Sequence, residues 1–334
     1  MKKRILVWSL YILLLTILLI AACILSLCLG TTRIPIKNVL SLLLSGKGSD
    51  IEHSIIFGIR LPRIILGIAV GSALSVSGVV LQSIFRNPLV EPYTLGISGG
   101  AALGVCLNLV LRLNQKISIL SLPLSGFIGA ICAIFAVYFL SIRRGTLHLH
   151  TMLLIGVMIS FILSSLIMLI MAISHIEDLH GIILWTLGSL QEPNPLLVKI
   201  TFIISISGLF VSYLLSKELN ALLLGEEEAL HLGVNVEKTK RILFFLSSIL
   251  TGCSVAVAGI IGFVGLVVPN FARMLFYGDH RVLLLSSALS GAAFLVVCDT
   301  IARMLIAPLE LPIGVITGII GGTVFVYFLQ KRKK

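Results

Sequence analysis

Apolar runs and short polar breaks alternate along the chain at a nearly constant interval. Nine stretches carry no Asp, Glu, Lys or Arg over 17 or more residues: 5–29, 64–85, 93–111, 117–142, 151–174, 200–216, 242–272, 282–298 and 311–330. Most match the ~20 residues that cross a hydrocarbon core about 30 Å thick. The run 242–272 does not, because as one helix it would be roughly 46 Å long. It also holds Gly252, Gly259, Gly262, Gly265 and Pro269, residues that break or bend a helix. The pattern therefore predicts one full helix followed by a shorter one, and ten crossings in all.

An even number of crossings puts both basic termini, Lys2-Lys3-Arg4 and Lys331-Arg332-Lys333-Lys334, on one side. That side carries 16 of the 25 Lys and Arg residues and the other carries 9. By the positive-inside rule it is the cytoplasm, and the protein is a multi-pass protein of the cell membrane. Composition agrees: 58% of residues are hydrophobic and only 12% charged, about half the share in soluble domains. The net charge of +11 then reflects topology, and a nucleic-acid partner is not expected. The six cysteines (23, 28, 106, 132, 253, 298) all fall in apolar runs without a CxxC pair, so neither a disulfide framework nor a zinc site is suggested. Ile20-Ala21-Ala22-Cys23 resembles a lipoprotein cleavage site. The uncharged run around it is longer than a signal-peptide core, and it reads as a retained first helix.

Two segments suggest internal symmetry. Ser72–Val80 (SALSVSGVV) resembles Cys253–Ile261 (CSVAVAGII), the first in a crossing that runs inward and the second in one that runs outward. That is the pattern of an inverted repeat. The expected fold is an all-α membrane protein, a single domain over 1–334 of about ten transmembrane helices. Helices two to five (about 61–174) and seven to ten (about 241–330) form the repeat halves. Glycines at four-residue spacing (Gly67/Gly71, Gly96/Gly100/Gly104, Gly314/Gly318/Gly322) suit close helix packing in lipid.

The acidic residues number only 14, yet three stand together in Leu223–Val234 (LLGEEEALHLGV). This segment lies in the longest loop of the basic side, about 217–241, between the sixth and seventh crossings. Its interleaved leucines suit short amphipathic helices and a protein-binding surface.

Several motifs join this one in a fixed order: Arg60-Leu61-Pro62-Arg63, Gln82–Pro92 (QSIFRNPLVEP), Leu95–Ala101 (LGISGGA), Trp185–Leu190 (WTLGSL), Gly262–Pro269 (GFVGLVVP), Asp279-His280-Arg281, Asp299–Arg303 (DTIAR) and Glu310–Gly314 (ELPIG). Together they resemble the permease subunit of type II ABC importers, the family that takes up ferric siderophores, haem and cobalamin. One departure is Asn270, where the family usually has histidine after the proline of the GLVxP motif.

The resemblance implies a homodimer, two cytoplasmic ABC ATPase subunits, an extracytoplasmic substrate-binding protein and no cofactor in the chain itself. It makes Gly225, Glu226, Glu227, Glu228, Ala229, Leu232 and Gly233 the element that docks into the ATPase. It makes Arg60, Arg63 and Arg303 receptors for acidic residues of the binding protein. Asp299 also stands four residues before Arg303, so an intrahelical pair is the other reading of that arginine. The path is implied to run along the dimer axis, beside crossings five and ten. Gly156, Ser160 and Ser164 form a small-residue stripe on crossing five, and His150 and Thr151 are placed at an inner gate.

No Walker A pattern G-x-x-x-x-G-K-[ST] occurs, so the energy source is expected on a separate ATPase chain and the permease is not itself an enzyme. The pairs His148/His150 and His175/His180 do not read as metal sites, the second because a five-residue spacing leaves one helical face. A secondary transporter would keep ionisable groups near the midplane, where only Asp299 comes close. An intramembrane enzyme would need a nucleophile–base pair that the sequence does not display. The resemblance implies a metal chelate as cargo, with ferric siderophore first because that group makes up much of the family, and haem, cobalamin and molybdate as alternatives.

Overall fold

The computed structural model describes residues 2–46, 48–116, 118, 120–143, 146–192, 194–276 and 278–331. The last three residues of the basic C-terminal cluster, Arg332–Lys334, lie outside them. In chain order the helices are α1 (Lys2–Cys28), α2 (Ile36–Ser45), α3 (Asp50–His53), α4 (Leu61–Ile84), α5 (Ile97–Val110), α6 (Leu113–Lys116), α7 (Ser121–Ser141), α8 (Leu149–Ile173), α9 (Ile176–Thr186), α10 (Pro195–Leu214), α11 (Ser216–Leu224), α12 (Glu226–His231), α13 (Val236–Ala258), α14 (Val264–Phe276), α15 (His280–Met304) and α16 (Ile313–Lys331). A π-helical stretch, Ser54–Arg60, fuses α3 to α4, and a 3₁₀ turn, Pro92–Leu95, precedes α5. Between α7 and α8, Ile142–Arg143 (β1) pairs antiparallel with Thr146–Leu147 (β2).

Among the described residues seven helices are long and apolar enough to cross a membrane: α1, the fused Asp50–Ile84 helix, α7, α8, α10, α13 and α15. The shorter apolar helices α5, α14 and α16 fall where the other three of the ten crossings are expected. The long run splits around Gly259 and Gly262: α13 stops at Ala258, and α14 starts at Val264, while Gly252, Gly265 and Pro269 remain inside the helices. Two features differ from expectation. The α2 helix, about 15 Å long, is an extra element too short to cross. The second crossing begins at Asp50 rather than near 64, because its first turn is held by a capping box between Ser49 and Glu52 and its arginines find partners inside the bundle.

The α4 helix runs through the centre of the bundle, buried on nearly every face from Arg63 to Ile84, with α10, α13, α14 and α15 around it. Without apolar segregation to drive association in lipid, this depends on backbones coming close. A Cβ added at Gly71 would overlap the Gly291 carbonyl oxygen of α15, and one at Gly78 would overlap that of Gly265 in α14. Gly100 and Gly129 likewise press α5 onto α7. Ser77 Oγ donates to Ser247 O at 3.0 Å and meets Thr251 Oγ1 at 2.8 Å, tying α4 to α13. Gly78→Val is expected to destabilise the fold by at least the ~1–3 kcal/mol of an overpacked core. A lower melting temperature of the detergent-solubilised protein would show it, and an unchanged one would contradict this packing.

The two similar nine-residue segments differ locally. Ser72–Val80 lies within unbroken α4, whereas Cys253–Ile261 runs off the end of α13 through Gly259, whose φ is +71°.

Candidate functional site

The glutamate-rich segment folds as two short helices hinged at Gly225. There φ is +140° and ψ is 159°, a conformation essentially confined to glycine. Leu219, Leu222 and Ala229 turn inward and are buried. Glu226 pairs with the buried Lys240 Nζ at 2.5 Å, and Glu237 stands 3.5 Å from the same nitrogen. Glu237 Oε2 also accepts from Leu147 N at 3.1 Å, linking α13 to β2. Glu227 and Glu228 are exposed, as are Leu230 and Leu232, at 59% and 64%. Gly233, at φ +81°, closes α12 with its N–H on Leu230 O. The segment thus presents acidic and leucine side chains together on a surface anchored from beneath.

The α11 helix is also latched to the bundle. Asn220 Oδ1 accepts from the backbone N–H of His280 at 2.9 Å and from its Nδ1 at 2.7 Å. An amide oxygen only accepts, so Nδ1 carries the proton. The ring's Nε2 meets Ser83 Oγ at 2.6 Å at the end of α4. These bonds join α11 to α15 and to the central helix.

At the opposite end of α4 the three sequence-predicted arginines are buried, Arg60 at 3%, Arg63 at 6% and Arg303 at 4% exposure. Arg63 Nε donates to Asp299 Oδ1 at 2.8 Å and its Nη1 to Glu310 Oε2 at 2.7 Å. Arg303 Nε stands 3.0 Å from Asp299 Oδ2, the anticipated i, i+4 pair, and its Nη2 donates to Ser26 Oγ at 2.7 Å. Arg60 donates to the carbonyls of Leu27 and Thr32, both at 2.5 Å. In this arrangement the guanidiniums are turned into the bundle and committed to partners within the chain. Beside them, burial pushes the Glu192 carboxyl up from the ordinary range, opposed by the N–H of Asn194 at 2.9 Å.

Between the 3₁₀ turn, α5 and α8 lies a cavity of about 430 Å³. Of the stripe on α8, Ser160 and Ser164 line it, while Gly156 instead packs against the backbone of Thr94 and Leu95. His150 is exposed and Thr151 half-buried in the first turn of α8, and neither lines the cavity. Its other polar lining comes from Glu91, Tyr93, Thr94, Ser98 and Thr186. Glu91 Oε1 accepts from Phe263 N at 2.8 Å, and Tyr93 Oη bonds both the carbonyl (3.0 Å) and the N–H (3.2 Å) of Ile261. Both residues clamp the break between α13 and α14, where Phe263 sits at φ +67°. In the sequence Glu91 is marked only by its place in the motif Gln82–Pro92. Its neighbour in that motif, Pro92, starts the 3₁₀ turn that aims it.

The FecCD transport family model matches residues 18–331. The chain belongs to that family. A hemin transport system permease, HmuU, from Yersinia pestis is 40% identical over 288 residues, 86% of each chain. The cobalamin import permease BtuC of Halobacterium salinarum is 39% identical, over 82% of this chain and 73% of its own. A solved structure described as the inward-facing conformation of a metal-chelate type ABC transporter superposes with a TM-score of 0.84 at 33% identity, covering 97% of this chain and 99% of that one. As a family member the chain is an ABC importer permease, a transporter subunit rather than a catalyst. The odd residue at 270 has a place in this permease. Asn270 Nδ2 donates to Pro88 O and Leu266 O, both at 2.8 Å, and so ties α14 to the connection after α4.

Proposed function

We propose that two copies of this permease form a pore that carries a ferric siderophore inward, driven by two cytoplasmic ATPases and fed by an external binding protein. Both termini lie in the cytoplasm with the α12 end of the bundle. The observation that carries the driven-import reading is the α11–α12 surface, anchored by Ala229 and Lys240 and offering Glu227, Glu228, Leu230 and Leu232. Such a mixture suits a rigid protein partner, with carboxylates on its basic groups and leucines buried against it. The binding protein docks on the end that carries Arg63, where the arginines hold the surface in shape and exposed groups make the contacts. The α8 helix, apolar and almost wholly uncovered in one chain, supports the homodimer, in which its copies meet near the axis with α16. His150 and Thr151 lie at the inner end of the path.

For the cargo, the lining of the α5–α8 cavity supports the reading. Its hydroxyls and one carboxylate stand among apolar residues, with no cationic group lining it among the described residues. That suits a bulky neutral chelate better than a bare oxyanion. The test is uptake of a neutral ferric trishydroxamate by the complete transporter in vesicles, against haem, cobalamin and molybdate. Preference for the first supports the reading, and preference for another replaces the cargo while leaving the importer intact. Filling the cavity with Ser164→Trp should abolish uptake while recruitment of the ATPase, read by the mass of the complex, stays normal. Undiminished uptake would take the path elsewhere.

A further inference from the structure

A second cavity, also of about 430 Å³, opens at the α12 end between the end of α4, the connection that follows it, and α14. Arg86 and Arg273 both line it, and none of its lining residues is acidic. Elsewhere the buried cations have identified partners: Arg63 pairs with Asp299 and Glu310, Arg303 with Asp299, and Lys240 with Glu226 and Glu237, while Arg60 is held by the carbonyls of Leu27 and Thr32. Among the described residues Arg86 and Arg273 have no acidic partner, and Glu228 on nearby α12 forms no ion pair with either.

Two of the residues lining this cavity also carry a buried polar atom that lacks a partner among the described residues, Arg273 Nε and Gln82 Oε1. The Gln82 side chain is fully buried and spends its Nε2 on the carbonyls of Gly265 and Leu266 at 3.3 and 3.4 Å. An occupant that completes the site must therefore bring both an anion for the guanidiniums and a donor for the amide oxygen.

The cavity continues into an apolar groove. Pro88, Asn270 and Met274 line both, and beyond them the groove is walled by Leu89, Phe271, Phe325 and Phe328. Phe271 and Phe328 meet edge to face across it, with ring centroids 4.1 Å apart. A cationic pocket opening onto an aromatic groove at the end of membrane-crossing helices has the layout of an anionic lipid site.

We propose that this cavity binds one anionic, hydroxyl-bearing phospholipid. Its phosphate lies between Arg86 and Arg273, its headgroup hydroxyl donates to Gln82 Oε1, and an acyl chain lies along Phe271, Phe325 and Phe328. The Arg86 guanidinium stands beside Gly225, since a Cβ added there would lie 3.8 Å from Arg86 Nη1. The lipid would thus brace the hinge of the α11–α12 segment against α4 and α14.

Native mass spectrometry of the detergent-purified permease, titrated separately with phosphatidylglycerol, phosphatidylcholine and inorganic phosphate, tests this. Phosphatidylglycerol should bind the wild type roughly 30-fold more tightly than phosphatidylcholine, from about fivefold per arginine. Arg86→Gln/Arg273→Gln should erase that preference. Arg86→Gln alone, at an exposed side chain, should reduce it about fivefold with the melting temperature unchanged. Phe328→Ser should weaken the lipid at both headgroups. Equal binding of the two lipids by the wild type, or an undiminished preference in the double variant, would overturn the proposal. So would inorganic phosphate binding as tightly as the lipid, which would make this a small-anion site. Lipid bound by monomer but excluded from dimer would overturn it too, giving the groove to the second copy.

Discussion

Asp299→Ala is expected to leave little folded permease in detergent. Asp299 is 2% exposed and is the carboxylate shared by Arg63 and Arg303. Removing it strands Arg303 with only neutral acceptors and leaves Arg63 to Glu310 alone. Breaking a buried ion pair from one side typically costs about 3–5 kcal/mol, because the remaining charge stays desolvated. That is a large part of the roughly 5–15 kcal/mol that holds a typical fold together. The informative companion is the triple variant Arg63→Met/Asp299→Leu/Arg303→Met, which removes the three buried charges together and leaves the partly exposed Glu310 to Gln191. Replacing a whole buried network with apolar residues of similar volume is often near neutral, so this variant should melt close to the wild type. Thermal melts of both variants check the expectation. A triple variant as unstable as Asp299→Ala would mean that the cluster's hydrogen bonds, rather than its charge balance, hold this end of the bundle.

The same pair of variants separates folding from docking. If the arginines only shape the surface, a stable triple variant still binds the substrate-binding protein with the wild-type salt dependence. If they receive acidic residues directly, affinity falls and its salt dependence flattens while the fold survives.

The residues differ in how much they revealed in advance. The division of 242–272 was legible because five helix-disturbing residues stood in a run too long to cross once. The Asp299–Arg303 pair was legible because i, i+4 neighbours share a helical face. The burial of Arg63 was not, since its partners lie 236 and 247 residues away and a charge beside an apolar run reads as the end of a helix. The long start of the second crossing stayed hidden for the same reason: Asp50, Glu52 and Arg60 look like loop residues until their caps and carbonyl partners are known. Glu91 stood in plain view within a motif. Its work became visible only when the backbone N–H of Phe263 arrived from the other half of the chain. On α8 a four-residue stripe could not distinguish Gly156, which packs, from Ser160 and Ser164, which line the cavity. That choice depends on how the helix is rotated against α5.

Leu230→Asp/Leu232→Asp is expected to abolish recruitment of the ATPase while leaving the melting temperature of the permease unchanged. Both leucines are mostly exposed, so polar replacements cost the isolated chain almost nothing. In a docked complex each would be a buried anchor, and losing an anchor typically costs about 2 kcal/mol or more, roughly 30-fold in affinity apiece. Gly225→Ala reaches the same end by another route. At φ +140° and ψ 159° a side chain adds about 1–3 kcal/mol of backbone strain, relieved only if the α11–α12 hinge opens and the surface loses its shape. Glu227→Ala should have a smaller effect that fades with salt, as an exposed charge at an interface rim does. Masses of the complex after co-expression with ATPase subunits would order these variants. Two permeases with two ATPases in the wild type, lost in the leucine pair and in Gly225→Ala, would fix α12 as the docking element. Full assembly in the leucine pair would move the ATPase elsewhere and leave Glu227 and Glu228 as solvated surface charges. Because Asn220 and His280 latch α11 to α15 and α4, a partner that grips α12 is expected to act on the central helix through α11. ATPase turnover that continues without uptake in an assembled Asn220→Ala variant would locate the transmission in that latch.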